Sequence, residues 1–260
     1  MKNLLGCLNP FARKDREAQR LRAQYLSLLQ EVLTNRIYED PPQQPFGPHN
    51  YDPTVRESGL DWPSTAHTMI GVKRLANLRE LVERVLLEKV PGDLLEAGVW
   101  RGGACIFMRA ILKAYGETGR HVWAADSFQG LPEPDPAKYP ADAGQVFHRY
   151  KELAVSLEQV RDNFAKYGLL DDQVGFLRGW FKDTLPNAPI ERLALLRIDG
   201  DLYESISDAL RGLYDRVSQG GFVVIDDYHA VEPCRKATDE FRAERGITDA
   251  IEEIDGVGVF

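Results

Sequence analysis

The chain has 260 residues, 43% of them apolar, and 40 acidic against 32 basic side chains give it a formal charge of −8. That length and composition support a globular unit with a substantial core, and the acidic balance argues against nucleic acid or an anionic membrane as the main partner. Three scattered cysteines (Cys7, Cys105, Cys234) form no CxxC pair and fit a reducing cytoplasm, and no apolar run approaches the ~20 residues that span a bilayer.

Residues 15–35 place Leu21, Tyr25, Leu28, Leu29, Val32 and Leu33 at helical spacing, with Asp15 as the expected N-cap. The stretch 39–53 holds five prolines and a glycine and reads as a loop or arm. A second helix is expected across 68–89, where Val72, Leu75, Leu78, Leu81, Val82, Val85 and Leu86 form one stripe. From Gly92 the texture changes. Short apolar runs at 93–100, 121–128, 173–181, 193–200 and 221–228 alternate with helical patterns at 102–115, 156–167, 204–218 and 231–245, and 250–260 reads as two end strands. Strands alternating with helices imply a mostly parallel sheet covered on both faces, with ligands beyond the carboxyl ends of the strands. Glu96, Asp126, Asp199, Asp201, Asp226 and Asp227 all fall at those ends. A proline-rich acidic insert, 131–150, hangs over the same edge.

The first strand-turn-helix unit reads LLEAGVWRGGACIFM, with Gly98, Gly102 and Gly103 at its turn. Glycines there let backbone approach a ligand closely, but the spacing is wrong for a GxGxxG pyrophosphate loop. Glu96 inside the turn would repel pyrophosphate and suits a cationic cofactor such as S-adenosylmethionine. Asp126, closing the second strand, can accept hydrogen bonds from both ribose hydroxyls, or merely cap the next segment. Gly179 and Trp180 could flank an adenine ring, although Trp180 reads equally well as core.

The fifth strand ends VIDDYH, and two adjacent carboxylates need compensation if partly buried. A magnesium ion shared by Asp199, Asp226 and Asp227 supplies it. The competing role, Asp227 as N-cap of the helix after 231, leaves three or four residues between the acid and the helix. His148 and His229 fall near the site, and sequence alone makes neither a general base. Asp199-Gly200-Asp201 also has the DxD shape of a metal-dependent glycosyltransferase, which Glu96, standing where phosphates would go, argues against.

At these residues the chain resembles the macrocin O-methyltransferase family, carried by HTMIGVKRL (67–75), LEAGVWRGGACIFMRAILKAYG (95–116), VWAADSFQGLP (122–132), LRIDGDLYES (196–205) and GGFVVIDDY (220–228). The resemblance spans about 55–259. It implies an α/β, Rossmann-like class I methyltransferase fold, with a mostly parallel seven-stranded sheet, helices on both faces, and an N-terminal helical extension (1–66) before the domain at 67–260. It places Thr68 and Met69 against S-adenosylmethionine, and Glu96, Ala97, Gly98, Val99 and Trp100 along its methionine moiety. Asp126 with Ser127 would take the ribose, and Ser156, Gly179 and Trp180 would complete the cofactor site. Asp199, Asp226 and Asp227 match metal positions, with Asp199 also the expected proton acceptor and His148 the fallback base. The implied reaction is Mg²⁺-dependent O-methylation of a sugar hydroxyl on a glycosylated antibiotic or a nucleotide-linked sugar, by a cytoplasmic homo-oligomer (dimer or tetramer). A phenol or catechol acceptor would use the same metal chemistry. The head before residue 20 and the stretch 142–155 depart from the family pattern, and both are expected to bear on the acceptor.

Overall fold

Consecutive apolar residues in the short strands serve two cores, because successive strand side chains point to opposite faces. Leu94, Ala124, Leu195 and Val224 enter one hydrophobic cluster. Their neighbours Leu95, Ala125, Leu196 and Ile225 enter the other. In this computed structural model, which describes residues 10–45 and 49–260, the strands are β1 (Asp93–Ala97), β2 (Val122–Asp126), β3 (Val174–Arg178), β4 (Leu193–Ile198) and β5 (Val217–Ile225). All pair in parallel, in the order β3-β2-β1-β4-β5. Helices α1 (Pro10–Leu33), α2 (Pro53–Ser58), α3 (Gly71–Leu87), α4 (Gly103–Tyr115), α5 (Leu157–Lys166), α6 (Phe181–Thr184), α7 (Tyr203–Leu213) and α8 (Glu232–Arg245) complete the chain. The first core packs under α1, α3, α4 and α5. The second packs under α7 and α8.

The sheet has five strands among the described residues, not seven. The segment expected to supply two end strands does reach the edge of β5. It pairs there only at an isolated antiparallel bridge, Ile225 with Val259, and with itself only at a second, Glu253 with Val259. Asp255 explains the shortness. Its carboxylate accepts from the Val257 and Gly258 amides, and Gly256 takes φ 80°, so the chain turns before a ladder can grow.

The N-terminal part differs from expectation in two further ways. Asp15 lies inside α1 and is not its cap. Leu26, Leu29 and Leu33 are the residues of α1 that reach the core, whereas Leu21, Tyr25 and Leu28 are 55%, 41% and 59% exposed. The proline-rich arm contains an unforeseen helical turn, α2, capped by Asp52. A buried cation organises the arm: Arg56, 1% exposed, bonds Asp61, Asp40 and the Thr34 carbonyl. Asp40 in turn accepts from the Thr65 and Ala66 amides. The Cys7 thiol lies outside the described residues; Cys105 and Cys234 are buried free thiols.

Where the arm meets α5, His67 Nδ1 and the Tyr167 hydroxyl share a 2.6 Å hydrogen bond. Burial, then the Lys166 and Arg101 charges, pushes the imidazole down from 6.5 to about 4. The unfolded chain therefore takes up this proton first on acidification. The stability gained by keeping His67 neutral is complete above pH 6.5 and is lost as pH falls toward 4. In melting experiments across that window, the wild type should lose thermal stability more steeply than His67→Phe. Parallel curves would refute the assignment.

Candidate active site

The ladder hydrogen bonds continue one residue past the strands and bring their ends level. Gly98 N donates to Ala125 O, Asp199 N to Ala97 O and Asp226 N to Ile198 O. Strand parity then decides the site. Glu96 pairs in register with Arg197, and Arg197 with Val224, so Glu96, Arg197, Asp199 and Asp226 stand on one face of the sheet rim. At the reversal of strand order between β1 and β4, Gly98 passes so near the Asp199 carbonyl that a Cβ would lie 1.7 Å from its oxygen; φ is 90°. Only glycine fits. A Cβ on Gly102 or Gly103 would meet Val160 or the His67 carbonyl, so these two glycines admit the protein's own chain and not a ligand.

A cavity of about 590 Å³ opens over this rim. Of the residues expected at the cofactor, Met69, Gly98, Trp100, Asp126, Ser127, Gly179 and Trp180 line it. The Asp126 carboxylate accepts from the Val99 amide at 2.8 Å and the Phe128 amide at 2.7 Å, which fixes its orientation. Burial still leaves its pKa raised. Trp100 adopts φ 46°, and its indole donates to the Glu152 carbonyl at 2.8 Å.

Other expected residues lie behind the wall. Thr68 and Ala97 are buried outside it, Val99 contributes its backbone amide, and Ser156 caps α5 from an exposed position. Glu96 is 2% exposed and does not face the cavity. It bonds Arg197 and accepts the Cys105 thiol proton at 3.1 Å. Burial, opposed by Arg197, pushes its pKa up to about 7.

Arg197 is the centre of the acidic group. Its guanidinium, 1% exposed, bonds Glu96, Asp199 and Asp226. Arg74 from α3 takes the other Asp226 oxygen, together with Asp255 and the Ser58 and Gly59 carbonyls. Asp199, Asp226 and Asp227 each present a carboxylate oxygen within 4.8 Å of one another. Asp227 Oδ2 is buried with no hydrogen-bond partner. Burial, then Asp201 and Asp199, drives the Asp227 pKa well up. An all-oxygen donor set with one orphaned buried atom fits a hard dication. Neither aspartate caps α8, whose N-cap is Val231.

The other half of the cavity is lined by His148, Asp199, Asp201, Glu204, Ser205 and Asp208. His148 Nδ1 is buried without a partner. Asp201 takes φ 55°, and burial with Asp199 and Asp226 pushes its pKa to about 8. In sequence Asp201 is one of the acids at the strand ends and the second of a DxD triplet, with no role of its own. Its place in the wall follows from the strained turn, which periodicity does not reveal. Lys138 and Lys182, also lining residues, went unmarked because a lone lysine in a polar segment carries no pattern.

A five-stranded parallel sheet with a pocket at its switch point, beside three carboxylates that could hold a metal ion, is the arrangement of a Rossmann-like methyltransferase using S-adenosylmethionine. Residues 22–260 match the Macrocin-O-methyltransferase (TylF) family, and the chain belongs to it. It is 58% identical over 240 residues (91% of each chain) to the 8-demethyl-8-(2,3-dimethoxy-alpha-L-rhamnosyl)-tetracenomycin-C 4'-O-methyltransferase of Streptomyces olivaceus. It is 54% identical over 240 residues to the demethyldecarbamoylnovobiocin O-methyltransferase of Streptomyces niveus, covering 91% of this chain and 92% of that one. Among solved structures it resembles the O-methyltransferase NovP with TM-score 0.88 and 54% identity, over 92% of this chain and 97% of NovP. The glycosyltransferase reading of the DxD triplet is thereby set aside. No described helix is long and apolar enough to cross a membrane.

Proposed function

We propose that this protein transfers a methyl group from S-adenosylmethionine to a sugar hydroxyl of a neutral glycoside in antibiotic biosynthesis, with Mg²⁺ as the metal. The observation that carries this reading is the junction of two pockets in one cavity. Met69, Gly98, Trp100 and Asp126 lie at the donor part, and the acids Asp199 and Asp201 lie where an acceptor hydroxyl would enter. The rhamnosyl compound in the tetracenomycin relative's name supports a sugar over a phenol or catechol. Charge favours a glycoside over a nucleotide-linked sugar. Glu133, Asp135, Glu204 and Asp208 line the acceptor part against Lys138 and Lys182, and Lys182 is 3.7 Å from Glu204. A pyrophosphate would meet net repulsion there.

When bound, the donor supplies an electrophilic methyl group, and the ion held by Asp199, Asp226 and Asp227 supplies Lewis acidity toward an alcohol. The chain itself aligns and deprotonates. Asp126 holds the donor's ribose, and Trp100 and Trp180 bound its pocket. Asp199, expected from sequence to take the proton, is engaged by Arg197 at 3.0 Å. Asp201 beside it faces no cation among the described residues and is assigned the proton-accepting role, with His148 the other candidate in the wall. The exposed Leu21, Tyr25 and Leu28 of α1 support the homo-oligomer expected from the family, with a second copy as occupant.

The test is product analysis with S-adenosylmethionine, Mg²⁺ and three acceptor panels: rhamnosylated aromatic polyketides, nucleoside-diphosphate sugars and catechols. Mass spectrometry should find one added methyl on the sugar of the glycosides alone. Methylation confined to catechols, or to nucleotide sugars, overturns the acceptor class.

A further inference from the structure

The insert that interrupts the strand-helix rhythm forms one wall of the cavity, through Lys138, His148 and Leu153. α7 contributes another, through Glu204, Ser205 and Asp208. Residues 131–155 contain only three short 3-10 turns, at 140–142, 147–149 and 151–153, so regular structure does not hold this wall in place. Side chains do. The Trp100 indole bonds Glu152 O, and Tyr150 packs edge-on against Trp62 with centroids 5.4 Å apart.

The third tie is the strongest. Asp142 is 0% exposed. Its Oδ1 accepts from the Tyr203 amide at 2.7 Å and its Oδ2 from the Glu204 amide at 3.0 Å. These are the first two N–H groups of α7, whose own N-cap residue, Leu202, offers no side-chain acceptor. Orphan donors at a helix start need an acceptor, and a carboxylate also suits the positive end of the helix dipole. α7 therefore receives its cap from a residue about sixty positions upstream. The rings of Tyr139 and Tyr203 lie tilted against each other beside the junction, centroids 6.0 Å apart. The capped end directly follows the turn that carries Asp199 and Asp201.

We propose that Asp142 is a positioning residue for the acceptor: its carboxylate sets the insert wall against the start of α7, and so against the Asp199–Asp201 turn. The proposal rests on the methyl-transfer reading for the identity of the acceptor, but the latch itself does not. Without the cap, the insert spends less time in the binding-competent arrangement, and acceptor affinity falls in proportion to that fraction. Asp142 accepts its hydrogen bonds from the α7 amides and none from the donor-pocket residues, and the Trp100–Glu152 tie remains in its absence.

The experiment compares Asp142→Ala, which keeps neither acceptor atom, with Asp142→Asn, which keeps one. Acceptor KM should rise roughly tenfold in the alanine variant and less in the asparagine variant, as expected for loss of a helix cap. Calorimetric affinity for S-adenosylhomocysteine and kcat should stay within about twofold. Hydrogen exchange at the Tyr203 and Glu204 amides should accelerate by a similar factor, since that local opening is what the cap opposes. An unchanged KM in both variants, or S-adenosylhomocysteine affinity falling in step with it, overturns the proposal. If Asp142→Ala does not fold, Asp142→Asn carries the test. Failure of the functional reading looks different. The wild type would then methylate no glycoside, and amide exchange at 203–204 would decide the latch: acceleration in the variants supports it, and no acceleration removes it.

Discussion

Asp227→Asn should abolish methyl transfer, with kcat/KM falling by ~10³ or more, the scale of losing a metal's charge stabilisation worth several kcal/mol. S-adenosylhomocysteine affinity should stay within about twofold, because Asp227 is not among the residues that line the cavity. The reasoning starts from an orphan. Asp227 Oδ2 is buried and bonded to nothing, while the nearby acids Asp199, Asp201 and Asp226 raise its pKa together with burial. Two arginines lie in this group, and both give hydrogen bonds to Asp226. Asp227 thus receives no hydrogen bond from either arginine on its buried oxygen, which is the observation behind the proposed metal. The same logic sets the sign of a second readout. In metal-free protein the substitution removes a carboxyl that burial and its acidic neighbours hold against ionisation while the unfolded chain ionises it freely, so the melting temperature at neutral pH should rise. Added Mg²⁺ should stabilise the wild type through mass action and leave the variant unmoved. Mn²⁺ titration followed by electron paramagnetic resonance gives the affinity loss directly. Undiminished wild-type turnover in excess EDTA, or an asparagine variant that keeps its activity, would remove the metal from the mechanism.

The same residues show how far sequence carried the reading. The apolar runs and their alternation with helices placed all five paired strands within a few residues, because strand burial leaves a direct hydrophobic signature. They also placed the acids at the strand ends, since a carboxylate directly after a buried run is conspicuous. What the pattern could not show was which acids face outward. Glu96 looked like a cofactor residue by position, yet it lies inside β1, short of the rim, and is engaged by Arg197 and Cys105 beneath the cavity. Arg197 itself read as an ordinary residue in LALLRIDG, although it joins three carboxylates. Arg74 sat unremarked among the helix positions of 68–89 for the same reason: a partner 152 residues away leaves no local trace. The end strands failed on length, because a capped turn at Asp255 stops the hairpin after single bridges. The apolar stripe of α1 failed on direction. Its periodicity was real, but only Leu26, Leu29 and Leu33 meet the core.

Arg197→Met is expected to destabilise the fold by ~3–5 kcal/mol in urea unfolding, the usual scale for removing one partner of a buried ion pair. Methionine fills much of the volume, so packing loss is not the main cause. The cost comes from the acids left behind. Glu96 would keep only the Cys105 thiol as a polar partner, and Asp226 would keep Arg74 on one oxygen and nothing on the other. Arg197→Lys should recover only part of the loss, because a single ammonium cannot reproduce a planar fork reaching three carboxylates. A double substitution separates folding from chemistry. In Arg197→Met/Glu96→Gln the charge that Arg197 neutralises at Glu96 is gone, so a large part of the stability should return. Activity should not, since Asp226 still lacks the bond that fixes its second oxygen beside Asp199 and Asp227. Double-mutant coupling near zero between Arg197 and Glu96 would mean that the buried pair does not carry this energy. Restored turnover in the double variant would mean that Arg197 holds the fold and has no part in ordering the metal carboxylates.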